Sequence, residues 1–245
     1  MHHFQKHLSL LFYLAFSIFQ CCHLNAANGF FGNLHCDRLN LLKHHGFNPQ
    51  IVYDIGAYKG EWSVNTHRVF PNSQFYLFEA NPAHMPALNN TLFPYFISLL
   101  GDKEDLVTFY SNNSTGDSFF IENSSYYSES STQNKKLAMT TLASIVVKNK
   151  LPLPDLIKMD VQGAERLIID GSPEIIKNAE VIVLEASILE YNHGAPLIYE
   201  MMSLMDSTGY LVLDVLEHHY YPTGELIQID LLFVKKNSKL IKKCE

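Results

Sequence analysis

From Ile51 onward, short apolar runs rich in β-branched and aromatic residues alternate with longer amphipathic stretches. Strands separated by helices cannot pair as hairpins, and runs that are apolar on both faces suit strands buried from both sides. The pattern therefore predicts an α/β fold, a parallel sheet covered by helices. The first strand is Ile51–Ile55, followed by a helix over 61–70 that Pro71-Asn72 ends. A second strand covers 75–79, and the next helix opens at Asn81-Pro82, where Asn suits the cap and Pro the first helical position. Further strands are expected at 95–100, 155–160, 181–185, 210–215 and 227–234, which makes seven.

A chain of 245 residues, 47% hydrophobic and 18% charged, has ample material for one large domain, and disorder or low-complexity architecture is excluded. Eighteen Lys and Arg against 25 Asp and Glu give a net charge of -7. That balance argues against nucleic acid as a partner, because binding phosphates needs clustered basic residues. Cys21, Cys22, Cys36 and Cys244 have no CxxC spacing, so neither a disulfide framework nor a zinc site is indicated, and no metal ligands are assigned.

Residues 8–19 are almost entirely apolar, follow a short start with Lys6 and three histidines, and precede the small residues Ala26 and Ala27. Residues 1–27 thus have the layout of a signal peptide or apolar anchor, whose apolar run of about 12 residues is too short to span roughly 30 Å of hydrocarbon unaided. Membrane attachment through residues 8–19, or export, is the expected localisation, with the cytoplasm as the alternative. Residues 28–50 form a helical lead-in, 51–236 the main domain and 237–245 a basic tail. Half of the residues between 111 and 134 are Ser or Asn and no period persists, which marks either a surface insertion or a lid carrying Phe119, Phe120, Ile121, Tyr126 and Tyr127.

The chemistry concentrates at Asp54-Ile55-Gly56-Ala57-Tyr58-Lys59-Gly60, where the first strand turns into the first helix of the sheet. Glycines there let the backbone approach a ligand, and the helix start offers free N–H groups. Tyr58 stands where a dinucleotide fingerprint requires its second glycine, so a pyrophosphate would be crowded and a ligand lacking it fits better. Glu79, at the end of the second strand, can accept from both hydroxyls of a ribose. Ribose without pyrophosphate suggests S-adenosylmethionine.

These segments, together with Phe78-Glu79-Ala80-Asn81-Pro82, the block Ile157-Lys158-Met159-Asp160-Val161-Gln162-Gly163-Ala164-Glu165 and the closing Gln228-Ile229-Asp230-Leu231-Leu232-Phe233-Val234, resemble the FkbM family of S-adenosylmethionine-dependent methyltransferases. The resemblance covers roughly 51–236. It implies a Rossmann-like seven-stranded methyltransferase sheet whose last strand is antiparallel, S-adenosyl-L-methionine as cofactor, and methylation of a hydroxyl oxygen on a small molecule or glycan. It implies that Asp54 and Gly56 line the methionine moiety, that Gly60 lets the helix start close by, that Glu79 holds the ribose and that Asp102 sits near the adenine. The family usually has Glu where Gln162 stands here.

A hydroxyl acceptor loses a proton during transfer, so a carboxylate or imidazole within reach can act as base. Asp160, ending the fourth strand, is the first candidate, with Glu185 at the end of the fifth strand and His193 as rivals. For Glu165 a helix-start role is the simpler reading. A noncatalytic, envelope-tethered binding protein that keeps the sheet is the alternative function, and an NAD-linked oxidoreductase stands further off because of Tyr58.

Overall fold

The computed structural model describes residues 34–111, 116–121 and 133–241. Residues 1–27, and Tyr126 and Tyr127 of the Ser/Asn-rich stretch, lie outside them. In chain order the elements are α1 (Leu34–His44), β1 (Ile51–Ile55), α2 (Glu61–Val69), β2 (Gln74–Glu79), a 3-10 turn at Pro82–His84, α3 (Met85–Asn89), β3 (Tyr95–Ile97) and β4 (Leu99–Leu100). There follow β5 (Asp105–Ser111), β6 (Gln133–Thr140), α4 (Leu142–Asn149), β7 (Leu156–Met159), α5 (Glu165–Gly171), α6 (Pro173–Asn178), β8 (Val181–Ser187), α7 (Ile198–Ser207), β9 (Tyr210–Tyr220) and β10 (Leu226–Lys235).

Seven strands form one sheet in the order β3-β2-β1-β7-β8-β10-β9. Pairings among β3, β2, β1, β7 and β8 are parallel, and β10 runs antiparallel between β8 and β9. The expected α/β sheet with an antiparallel last strand is therefore what the chain forms. Strand phase sorts the side chains between two cores. Tyr53, Ile55, Ile157, Met159, Ile182, Leu184 and Phe233 pack on one face, while Val52, Leu156, Val181, Val183, Leu232 and Val234 pack on the other with Leu39 and Leu42 of α1. Burial from both sides is why these runs lack the apolar-polar alternation of a half-exposed strand.

Local chemistry starts several helices, at Asn81 as the sequence suggests. The Asn81 side chain accepts from the Ala83 N–H at 3.0 Å, Thr141 caps α4 through the Ser144 N–H at 3.0 Å, and Pro173 opens α6. Among the described residues, no helix is long and apolar enough to cross a membrane.

One expected strand is divided, and two strands escape the sequence reading. The run 95–100 pairs with β2 from Tyr95 only as far as Ile97; the chain then passes to a second sheet of order β4-β6-β5, where Leu99 and Leu100 pair with Met139 and Thr140. β5 and β6 form an antiparallel pair that the Ser/Asn-rich stretch connects. β6 carries Gln, Asn and two Lys, and β5 begins at an exposed Asp105 and Leu106, so their weak alternation hides strands held by backbone pairing.

Candidate active site

The carboxyl ends of β1, β2 and β7, the connection from β3 to β4, and residues 117–119 enclose a cleft. Open α/β sheets place ligands at this end. Its first wall is the turn after β1, where Gly56, Tyr58 and Gly60 have φ of 76°, 51° and 80°. Gly56 cannot carry a side chain, because a Cβ there would lie 1.8 Å from the Asp160 carbonyl oxygen. This close approach fastens the β1 turn to the β7 turn. Tyr58 adopts the left-handed region without being glycine, a strain of about 1–3 kcal/mol that surrounding contacts must offset.

Glu79 supplies part of that compensation. Its Oε2 accepts from the Tyr58 N–H at 2.8 Å and its Oε1 from the Asn81 N–H at 2.8 Å. Each oxygen retains a second lone pair, and the residue lines the cleft. Burial pushes its carboxyl up to about 7, against the two N–H bonds, which favour the ionised form. Tyr58 also meets His84 edge-on, ring centres 4.4 Å apart.

The floor is the turn after β7. Lys158, buried, lies 3.2 Å from Asp160 Oδ2 and 3.6 Å from Asp54 Oδ1, and donates to the Gly56 carbonyl at 3.2 Å. Burial works against its charge, yet the Asp160 and Asp54 carboxylates outweigh that and raise its pKa. Gln162, left-handed at φ 55°, directs Nε2 to Asp160 Oδ1 at 2.9 Å and to Glu185 Oε1 at 3.0 Å. Glu165 accepts from the Val161 N–H at 2.9 Å and the Gly163 N–H at 3.1 Å, bracing the turn that carries Asp160 and Gln162. Burial raises its carboxyl to about 7.

The remaining wall is apolar. Leu99 and Phe109 form a small core with Met139, against which Ala80 and Phe119 pack. Phe119 belongs to the Ser/Asn-rich stretch, and its neighbours tie that part to the cleft: Ser118 Oγ donates to the Gln162 carbonyl at 2.9 Å, and Asn81 Nδ2 donates to Asp117 Oδ2 at 2.6 Å. Four carboxylates, Glu61, Glu79, Asp117 and Asp160, line the cleft against one lysine, Lys158. An apolar wall beside an acidic floor suits a flat heteroaromatic group joined to a cation.

Of the residues expected from sequence, Gly56, Glu79 and Asp160 line this cleft. Asp54 is fully buried beneath it, where Oδ2 accepts from Ser63 Oγ at 2.6 Å. Gly60 stands behind the turn, its Cα facing Thr91 and Leu77. Asp102 is exposed on the turn after β4, near Gly171, because the chain has changed sheets before reaching it. His193 is exposed and sits 3.1 Å from Glu190 Oε1, away from the cleft lining. Glu185 is buried and reaches Asp160 only through Gln162; burial, then the neighbouring Asp160 and Asp230, push its pKa well up.

Lys158, His84 and Asp117 were given no role from sequence, Gln162 was noted only as a departure from the family's Glu, and Tyr58 only as an obstacle to a pyrophosphate. Lys158 had a legible signal, a cation in the middle of a run otherwise apolar. The others depend on backbone placement that no spacing reveals.

The sequence model of the methyltransferase FkbM domain matches residues 54–212. The chain belongs to the FkbM methyltransferase family. Its cofactor is accordingly S-adenosylmethionine. No curated protein matches the chain. Among solved structures, cofactor-bound Rv0187 from MTB is 12% identical, with 86% of this chain and 84% of that one covered and a TM-score of 0.51. Precorrin-6y C5,15-methyltransferase from Geobacter metallireducens GS-15 is 15% identical over 80% of this chain and 85% of that one, with a TM-score of 0.45. Magnesium protoporphyrin IX methyltransferase from Synechocystis PCC 6803, with bound SAM, is 9% identical over 83% and 80%, with a TM-score of 0.46. At such identities the likeness concerns the fold, and this FkbM methyltransferase owes its assignment to the domain match.

Proposed function

We propose that this FkbM methyltransferase methylates a hydroxyl oxygen on a small molecule or glycan. The observation that carries the reading is the placement of Asp160, a carboxylate open to the cleft opposite Glu79, which is fixed by two backbone N–H groups and retains acceptor capacity on both oxygens. Bound S-adenosylmethionine would supply a methyl group on a sulfonium, with S-adenosylhomocysteine as the leaving group.

The chain's own groups divide the remaining work. Glu79 would accept from the ribose hydroxyls, and the apolar wall of Leu99, Phe109 and Phe119 would exclude water from the bound cofactor. Asp160 is the base. Of the three candidates it alone lines the cleft, its side chain is 36% exposed, and Lys158 and Gln162 hold its orientation. Its carboxylate takes the proton that the acceptor hydroxyl loses. Fixing acceptor and methyl group in line contributes much of the acceleration.

Calorimetric titration with S-adenosylmethionine tests the cofactor assignment. Glu79→Ala should weaken binding by about tenfold to a few hundredfold, as expected when charge-assisted hydrogen bonds are lost. Equal affinity in the variant would remove the ribose role. Asp160→Asn should bind the cofactor nearly as well as the native chain and lose turnover, read as S-adenosylhomocysteine formed with a panel of hydroxyl compounds. Unchanged turnover would exclude Asp160 as base.

A further inference from the structure

Outside the cleft, ionisable groups crowd the carboxyl end of β8 and its neighbours. Glu185 of β8 pairs directly with Asp230 of β10, which pairs with Glu217 of β9. Residues directly opposite in adjacent strands project from the same face, so three carboxylates stand in one row. Like charges so placed repel each other, and Glu185 and Asp230 are shielded from much of the water that would screen them, while Glu217 is half exposed. Positive partners relieve that repulsion.

His35 of α1 is one such partner. Its Nε2 lies 2.9 Å from Asp230 Oδ2, and Trp62 Nε1 donates to its Nδ1 at 3.3 Å. The indole leaves the imidazole proton on Nε2, so His35 donates to Asp230 and is not a ligand there. The other oxygen of Asp230 has a different environment. Among the described residues, Asp230 Oδ1 and His219 Nε2 are buried atoms without a hydrogen-bond partner. They face each other at 3.6 Å, within ion-pair reach and too far for a hydrogen bond, a spacing that also suits two donors sharing one ion.

One ligand atom each from Glu185, His219 and Asp230 lies within 4.8 Å of the others. We propose that these three residues bind a divalent first-row transition-metal ion. One imidazole nitrogen and two carboxylates favour such an ion over magnesium or calcium, which prefer oxygen throughout. Three protein donors leave coordination positions open, as in metal sites that act on a bound water or hydroxyl. The surroundings resemble the outer contacts that orient metal ligands: His35 fixes Asp230, while Gln162 and Gln228 donate to Glu185 Oε1 at 3.0 and 2.6 Å. Through Gln162 the ion lies one amide away from Asp160 and the cleft. The site stands on its own geometry and does not depend on methyl transfer.

The test is a Co2+ titration of the full chain after chelator treatment. Visible absorption bands should grow to saturation at about one equivalent, vanish on adding Zn2+ and survive excess Mg2+. His219→Ala, and the closer mimic Asp230→Asn, which keeps an oxygen for His35, should each lower Co2+ affinity by roughly a hundredfold or more. Affinity for S-adenosylmethionine, measured on the same samples, should stay within about threefold and shows that the variants are folded. A variant lacking His2, His3 and His7 should keep the bands. A native chain without bands, bands that persist in both site variants, or bands lost only with the N-terminal histidines would each overturn the proposal.

Discussion

At the scale of the residue, Glu79 carries the most information because its environment pulls it two ways. Burial moves its carboxyl up to about 7, whereas a role as acceptor from ribose hydroxyls requires the ionised form. Cofactor binding is then linked to loss of a proton. S-adenosylmethionine affinity should rise as pH increases through about 7 and level off above it, and Glu79→Gln should flatten that rise. Calorimetry across the neutral range, in buffers of different ionisation enthalpy, reads both the affinity and the proton released. An affinity independent of pH would mean that Glu79 is ionised throughout or not in contact with the ligand. The sequence made Glu79 legible, since an acid closing an apolar run after a glycine turn is a local pattern. It could not show that the same carboxylate also holds the strained Tyr58 N–H, a contact made across 21 residues.

At the scale of the element, α1 shows how a segment ahead of the sheet becomes part of it. Leu39 and Leu42 are buried against β-strand residues, Arg38 Nε lies 3.1 Å from Asp214 Oδ2, and Lys43 Nζ donates to the Val69 carbonyl at 2.6 Å. Burying each leucine contributes roughly 1.5–3 kcal/mol. A chain that starts at Asn28 should match the full chain in urea midpoint, whereas one that starts at Gly46 should lose several kcal/mol, roughly the sum for both leucines. If the Gly46 chain were equally stable, the packing of α1 would contribute nothing net. The lead-in helix was readable from sequence, but its partner surface was not. Likewise the β5 and β6 strands were missed because their pairing is mainly a backbone matter, and the side chains of 133–140 advertise neither face.

At the scale of the whole molecule, several carboxyls titrate far from their ordinary value. Glu79 and Glu165 are both raised from 4.5 to about 7, chiefly by burial. A group raised on folding stabilises the native state in its protonated form. That contribution is fully present below about pH 4.5 and is lost as pH rises through about 7. The thermal midpoint of the ligand-free protein should therefore fall as the solution passes from mildly acidic to mildly alkaline. Glu165→Gln, which cannot ionise, should reduce the slope. A midpoint that rises over this interval would show that other groups govern the balance. Glu165 also fixes the turn holding Asp160 and Gln162, so its neutral form braces the site without adding charge to it.

The sequence by itself determined the layers of this protein and the anchor points of its cleft. Apolar runs at strand length, the helix cap at Asn81, and the glycines after β1 act through near neighbours, so local chemistry suffices to read them. Tertiary structure decided which charges meet. Asp54, Lys158 and Asp160 share a site because β1 pairs with β7, and Glu185 faces Asp230 because β10 enters antiparallel beside β8. It also removed Asp102 and His193 from the cleft, one by a change of sheet and the other by an exposed loop. Strand order and register are global properties, set by which arrangement buries the most apolar surface. The fields that tune buried carboxyls follow from that arrangement, which no spacing along the chain records.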